Sequence, residues 1–65
     1  MPKITSEDTA TKIATDALRK FGTKRPRNAK LVETLWYVTI DVGLFTPKLI
    51  EVEIDAETGI VKRMR

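Results

Sequence analysis

Residues 36–42 read Trp-Tyr-Val-Thr-Ile-Asp-Val, in which strongly apolar side chains alternate with more polar ones. Successive residues of a β-strand point to opposite faces of the sheet, so a period of two predicts a half-buried strand. The side chains predicted to face the core are Trp36, Val38, Ile40 and Val42. Those predicted to face outward are Leu35, Tyr37, Thr39 and Asp41. We predict that this first strand spans residues 31–42.

The chain after this strand reads as a β-meander. Gly43 and Pro47 interrupt the alternation, and a second alternating run follows at residues 49–55. Its inward-facing residues are Ile50, Val52 and Ile54, and its outward-facing residues are Glu51, Glu53 and Asp55. Residues 55–59 read Asp-Ala-Glu-Thr-Gly, which is typical of a tight hairpin turn with Gly59 at a positive φ angle and with Asp and Thr side chains bonded to the turn. We predict a third strand at residues 60–64.

The N-terminal part of the chain carries one apolar stripe at helical spacing. Its members are Ala10, Ile13, Ala14, Ala17, Leu18 and Phe21. Thr5 stands where an N-cap is needed, and its hydroxyl is expected to accept a hydrogen bond from the Asp8 amide. Gly22 follows the stripe and is expected to end the helix in the left-handed conformation. We predict a helix over residues 6–21.

The segment between the helix and the first strand is strongly basic. Residues 23–30 read Thr-Lys-Arg-Pro-Arg-Asn-Ala-Lys, with no acid and with a proline that cannot continue a helix. We predict an exposed loop over residues 22–30. The predicted fold class is α+β, with one N-terminal helix packed on a three-stranded antiparallel β-meander as a two-layer sandwich. Trp36 should pack against the helix near Leu18 or Phe21.

Composition limits what this chain can do. Its 65 residues make one small domain with a small core. The sequence contains neither cysteine nor histidine, which excludes disulfides and the common zinc sites. The outward acids of the sheet are expected to be solvated with ordinary pKa values, so none is tuned as a catalytic acid or base. We therefore expect no enzyme activity, no cofactor and no metal.

The same sequence suggests a location. No apolar run is long enough to span a bilayer, and the first residues lack the apolar region of a secretory signal. We predict a cytoplasmic protein, or an extracytoplasmic one if the chain is a domain excised from a longer protein.

Three segments, in this order, resemble the PepSY domain. They are the capped helix start at residues 4–8, the Trp-x-Val strand at residues 36–42, and residues 52–61, which read Val-Glu-Ile-Asp-Ala-Glu-Thr-Gly-Ile-Val. The resemblance covers nearly the whole chain apart from the basic segment. It implies a small noncatalytic domain that accompanies secreted or membrane-attached proteins, including the propeptides of thermolysin-like metallopeptidases, and that is proposed to restrain peptidase activity.

The leading hypothesis is a noncatalytic PepSY-like module that binds a protein and modulates or inhibits a peptidase. The partner would contact the outer sheet face or add a strand to an exposed edge, and a homodimer formed by sheet pairing is a variant of the same contact. The predicted protein-binding residues are Leu35, Tyr37, Thr39, Glu51 and Glu53.

The alternative hypothesis is a small basic protein that binds nucleic acid. Residues 19–30 contain six cations and no acid, and the C-terminus adds three more cations. Such a cluster can neutralise phosphates, and it can equally contact an anionic membrane or an acidic protein. The net charge is only +3, which weakens the nucleic-acid hypothesis. The predicted nucleic-acid-binding residues are Lys24, Arg25, Arg27, Lys30, Arg63 and Arg65.

Overall fold

The computed structural model describes residues 4–65, which fold as one helix and a four-stranded sheet. The elements are helix α1 (Glu7–Ala17) and strands β1 (Arg25–Val32), β2 (Leu35–Asp41), β3 (Leu49–Asp55) and β4 (Val61–Met64). The strands are antiparallel and lie side by side in chain order, and the helix contacts all four of them. The α+β class is confirmed, and the predicted three strands are corrected to four.

The additional strand is β1, which occupies most of the segment predicted as a loop. The predicted strand at residues 31–42 is in fact the end of one strand and the whole of the next, because the chain reverses at Glu33 and Thr34. Leu31 pairs with Trp36 across this reversal, and Glu33 takes a positive φ of 56°. The turn contains no glycine, proline or asparagine, so nothing in its composition marked it as a turn.

The helix is shorter at both ends than the predicted helix over residues 6–21. Its N-cap is Ser6, whose hydroxyl accepts a hydrogen bond from the Thr9 amide at 3.2 Å, so the prediction that Thr5 caps the helix was wrong. After Ala17 the chain continues as tight turns, in which the amides of Leu18, Arg19 and Phe21 each donate to the carbonyl three residues earlier. Leu18 and Phe21 still pack on the core in these turns, although they are no longer in the helix. Gly22 does not have a positive φ, so the prediction that it ends the helix in the left-handed conformation was wrong.

The hairpin between β3 and β4 has the predicted turn. One carboxylate oxygen of Asp55 accepts hydrogen bonds from the Glu57 and Thr58 amides at 2.8 and 3.3 Å. The Thr58 hydroxyl accepts from the Ile60 amide at 3.2 Å, and Gly59 has a φ of 78°. The side-chain bonds and the left-handed glycine are therefore confirmed, and the last strand begins one residue later than predicted.

One hydrophobic core lies between the helix and the sheet. Its most deeply buried residues are Ala10, Ala14, Val38, Ile40, Val52 and Ile54. Trp36 is also buried, and its indole N–H donates to the Ile4 carbonyl at 3.0 Å. Ile4 comes just before the helix, so the indole lies beside the helix start, whereas we predicted it near Leu18 or Phe21 at the other end. Among residues 4–65, no helix is long and apolar enough to cross a membrane.

The elongated molecule has two different ends. At the turn end lie the β1–β2 turn, the β3–β4 hairpin and the start of the helix, which are joined by the hydrogen bonds from Ile4 to Ala56 and from Ala56 to Thr34. At the loop end, residues 43–48 connect β2 to β3, and Phe21 lies close to Lys48. The end of the helix and the start of β1 are at this second end.

Candidate functional site

The face of the sheet turned away from the helix, here called the open face, brings the predicted protein-binding residues together. The register places Tyr37 between Lys30 on β1 and Glu53 on β3. Thr39 lies between Asn28 and Glu51 in the same way, and Leu35 lies between Val32 and Asp55. The predicted set of Leu35, Tyr37, Thr39, Glu51 and Glu53 therefore occupies adjacent rows of one surface.

A shallow concavity of about 310 Å³ lies in the middle of the open face. The residues that line it are Asn28, Lys30, Val32, Tyr37, Thr39 and Glu51. Half of them belong to β1, and two of these, Asn28 and Lys30, lie in the segment predicted as a loop, so this wall was not predicted. No clear alternation of buried and exposed side chains marks β1 as a strand, because both of its faces are exposed.

The acids of the open face are less available than predicted. Glu53 is 8% exposed, and one of its carboxylate oxygens accepts a hydrogen bond from the Arg65 guanidinium at 2.9 Å. The same guanidinium lies 3.7 Å from a carboxylate oxygen of Glu51. The backbones of Arg65 and Glu51 exchange two hydrogen bonds, which hold the arginine over both acids. Glu51, which is half-buried, is the acid of this pair that lines the concavity.

Asp41 departs from the predicted solvated state altogether, because it is buried at the end of β2. One carboxylate oxygen accepts hydrogen bonds from the Gly43 amide at 2.8 Å and the Lys48 amide at 3.1 Å, and the other lies 3.5 Å from the Arg25 guanidinium. The two amide bonds, followed by the nearby positive charge, hold the pKa of the Asp41 carboxyl below its ordinary value. The residue fixes a loop and is not free to bind a partner.

The predicted nucleic-acid-binding residues do not form one cluster. Arg27 and Lys30 are on β1, and Arg63 is on β4 beside Arg65. These are the two opposite edge strands, with β2 and β3 between them, so the groups are about 14 Å apart at the usual strand spacing. Arg65 is engaged with Glu53, which leaves fewer free cations on that edge.

The remaining two predicted cations lie near the loop end. The Arg25 guanidinium donates to the Gly43 carbonyl at 2.8 Å in addition to its ion pair with Asp41. The Lys24 ammonium donates to the Phe21 carbonyl at 2.8 Å. Both cations are therefore partly used in holding the backbone of this end together.

The two edges of the sheet differ in how well they could accept another strand. β1 has eight residues and is exposed along nearly all of its length. Its first half contains Pro26 and a shift of register before Asn28, whereas residues 28–32 pair regularly with β2. β4 has four residues, an irregular register and several cations, which are features that protect an edge strand. Residues 28–32 are thus the open edge, and they border the concavity.

A second groove, of about 510 Å³, lies at the loop end on the helix side of the sheet. Leu18, Phe21 and Ile50 contribute apolar surface to it, and Lys20 and Lys48 lie at its border. The ammonium groups of these two lysines are 5.5 and 6.0 Å from the centre of the Phe21 ring. The groove was not predicted from the sequence, because it is formed by the turns that follow the helix and by the start of β3.

The acids and other potential ligands are not arranged for metal chemistry in the part of the chain that the structure describes. No group of three or more acid, histidine or cysteine side chains there is placed to hold a metal ion. Comparison with known proteins gives no significant match to any family model, curated protein or solved structure.

Proposed function

We propose that this chain is a noncatalytic, PepSY-like protein-binding module, whose partner lays an extended segment along residues 28–32 of β1 and over the concavity of the open face. The observation that carries the proposal is the position of that concavity directly beside the regular half of an unpaired edge strand. An added strand would gain main-chain hydrogen bonds from the edge and side-chain contacts from the concavity in the same step.

The chemistry of the concavity defines the kind of segment that fits. Val32 and the half-buried ring of Tyr37 offer apolar surface, while Lys30 and Glu51 offer opposite charges. Side chains of an extended segment alternate between its two faces, so every second residue would meet the concavity. A segment with an acid that faces Lys30 and an apolar residue two positions away that faces Val32 and the Tyr37 ring is therefore the best match, since both side chains point to the same face.

The proposed partner is a peptidase, and the module restrains or modulates it. This part of the proposal depends on the resemblance of residues 4–8, 36–42 and 52–61 to the PepSY domain. In this proposal the chain contacts the peptidase through the open face and contributes no catalytic group to it.

The proposal is tested by titrating the isotopically labelled protein with a thermolysin-like metallopeptidase and following its amide signals by NMR. Shifts should concentrate in residues 28–32 and in the rows of Tyr37 and Thr39. Tyr37→Ala should weaken binding about tenfold, because a buried aromatic ring is a typical main contributor at an interface. Leu35→Ser should have a smaller effect in the same direction, because Leu35 lies at the border of this surface.

The matched control is Lys12→Ala, an exposed position on the helix, which should bind like the unmodified protein. Unchanged binding by Tyr37→Ala would refute the placement of the site on the open face. Shifts along β1 that depend on protein concentration without added peptidase would identify a second copy of the chain as the occupant of the edge.

The same labelled sample separates this proposal from nucleic-acid binding. Mixed-sequence DNA should produce weak shifts, because the cations of β1 and β4 are on opposite edges and Arg65 is held by two acids. Strong shifts at Lys24, Arg27 and Lys30 that disappear as salt is raised would favour the nucleic-acid hypothesis, since each phosphate contact releases counterions.

A further inference from the structure

The loop that joins β2 to β3 exposes two large apolar side chains at its end. This tip loop, residues 43–48, reads Gly-Leu-Phe-Thr-Pro-Lys. The exposed fraction of Leu44 is 72%, and that of Phe45 is 94%. Single exposed apolar residues are ordinary on protein surfaces, but an adjacent leucine and phenylalanine at a projecting end form an apolar tip that nothing else in the described chain covers.

The exposure of the tip is built into the loop. Asp41 accepts hydrogen bonds from the amides of Gly43 and Lys48, and the Val42 amide donates to the Lys48 carbonyl at 2.8 Å, so the base of the loop is closed. Inside it, a side-chain carbon on Gly43 would collide with the Thr46 carbonyl oxygen. The base of the loop is therefore tightly closed, and Leu44 and Phe45 lie at its exposed end.

Three lysines surround this end of the molecule and are here called the lysine collar: Lys20, Lys24 and Lys48. The ammonium groups of Lys20 and Lys48 each lie within about 6 Å of the centre of the Phe21 ring, and the Lys24 ammonium donates to the Phe21 carbonyl. Within residues 4–65, none of the three forms an ion pair with an acid. Asp16, in the last turn of the helix, is exposed and also unpaired, and Asp41 is already neutralised by Arg25.

The opposite, turn end of the molecule is acidic. Five of the nine acids lie there, in the first turn of the helix, in the β1–β2 turn and in the β3–β4 hairpin. These acids are Glu7, Asp8, Glu33, Asp55 and Glu57. A negatively charged surface would therefore attract the loop end and repel the turn end, which orients the molecule with its apolar tip forward.

We propose that the loop end is a docking site for an anionic lipid bilayer, with Leu44 and Phe45 inserted among the headgroups and the lysine collar against the lipid phosphates and carboxylates. Apolar tips flanked by basic residues bind such surfaces because burial of the tip and attraction of the cations add together. An exposed apolar tip with three nearby lysines that pair with no acid of the described chain suits an extended anionic surface, which offers many negative groups at once. The site is independent of the open face.

The test is flotation of the full chain with vesicles of phosphatidylcholine alone or mixed with phosphatidylserine. The protein should float with the mixed vesicles at low salt, and much less with phosphatidylcholine alone. Phe45→Ala should reduce the apparent affinity about tenfold, as expected for loss of a buried aromatic side chain. Lys20→Gln and Lys48→Gln should each reduce it about fivefold.

The matched controls are Ile60→Ala and Lys62→Gln, which remove an exposed apolar residue and a cation away from the loop end and should float like the unmodified protein. Tyr37→Ala should also float normally, so that failure of the lipid proposal is distinct from failure of the peptidase proposal. Because the sequence has no cysteine, an environment-sensitive dye can be attached at Phe45→Cys or Ile60→Cys alone. Only the dye at position 45 should report an apolar environment.

Several outcomes would overturn the proposal. They are a failure of the unmodified protein to float with anionic vesicles at low salt, normal flotation of Phe45→Ala, and an equal dye response at position 60. Self-association that Phe45→Ala abolishes, in a protein that does not bind vesicles, would show that the tip docks onto another copy of the chain. The proposal would also be refuted if the protein did not bind vesicles but bound a purified protein partner in a way that requires Phe45.

Discussion

The carboxylate of Asp41 is buried at the end of β2 and nevertheless favours its charged form. Two backbone amides and the Arg25 guanidinium replace the water that burial removes. The same three contacts close the base of the tip loop. A side chain that the sequence placed among solvated acids is therefore the residue that shapes the most exposed loop of the protein.

This role predicts a specific pH dependence of stability. The folded-state pKa of Asp41 is below its ordinary value of 3.8, so its contribution to stability is fully present above that pH and is lost as the pH falls through the lower, folded-state value. Asp41→Asn should reduce stability at neutral pH and make the acid side of the stability profile shallower. Urea unfolding at a series of pH values measures this, with the exposed Asp16→Asn as the control. A profile of Asp41→Asn parallel to that of the unmodified protein would contradict the assignment.

Substitution of Gly43 tests how tightly the tip loop is packed, and Gly22, outside the loop, is the control. Gly43→Ala should destabilise the protein by about 3 kcal/mol or more, because its side-chain carbon would collide with backbone atoms of Thr46 and Lys48. Gly22→Ala meets no atom within 4 Å and has no positive φ, so it should be neutral or stabilise by up to about 1 kcal/mol. Thermal and urea unfolding of both variants give the comparison. Similar values for the two would show that the loop can open.

At the scale of elements, the start of the helix gives a matched pair of variants. Ser6→Ala removes the hydroxyl that accepts from the Thr9 amide and should cost about 1 kcal/mol. Thr5→Ala, which the sequence alone made the more important substitution, should change stability by less than about 0.5 kcal/mol. Urea unfolding of both proteins decides between the two caps. A larger effect at Thr5 would mean that the helix begins one residue earlier.

The inner strands were predictable because one of their faces is buried and the other is not. Trp36, Val38 and Ile40 are in the core, as their alternation indicated. β1 gave no such signal, because an edge strand exposed on both faces can carry Arg, Pro, Asn and Lys without cost to the core. The turn at Glu33 and Thr34 was hidden for a related reason. Pairing of the flanking strands holds Glu33 at a positive φ, which a glutamate does not favour on its own.

The candidate site was predictable only in part. The outward row of Leu35, Tyr37 and Thr39 follows directly from the alternation of β2. The remaining features are long-range contacts: the wall of the concavity that β1 supplies, and the ion pair of Glu53 with Arg65. They depend on which strands become neighbours, which the local sequence pattern does not specify. The helix end was misplaced because tight turns after Ala17 keep Leu18 and Phe21 on the core side, so the apolar spacing continues where the helix does not.

Taken as a whole, the molecule separates its charges along its length. The acidic turn end includes the start of the helix, where Glu7 and Asp8 suit the positive end of the helix dipole. The lysine collar lies beyond the other end of the helix. The arrangement also separates the two proposed surfaces. If the loop end binds a bilayer as proposed, the strands are oriented roughly along the membrane normal, and β1 and the open face stay accessible to a protein partner.

The hydrogen bond from Trp36 to Ile4 has a practical consequence for the study of this protein. The chain contains one tryptophan, and its indole is bound to the segment that precedes the helix. If that segment detaches from Ala56, water reaches the ring while the central strands are still paired. The intrinsic emission of this residue thus distinguishes early release of the N-terminal segment from complete unfolding, without any added label.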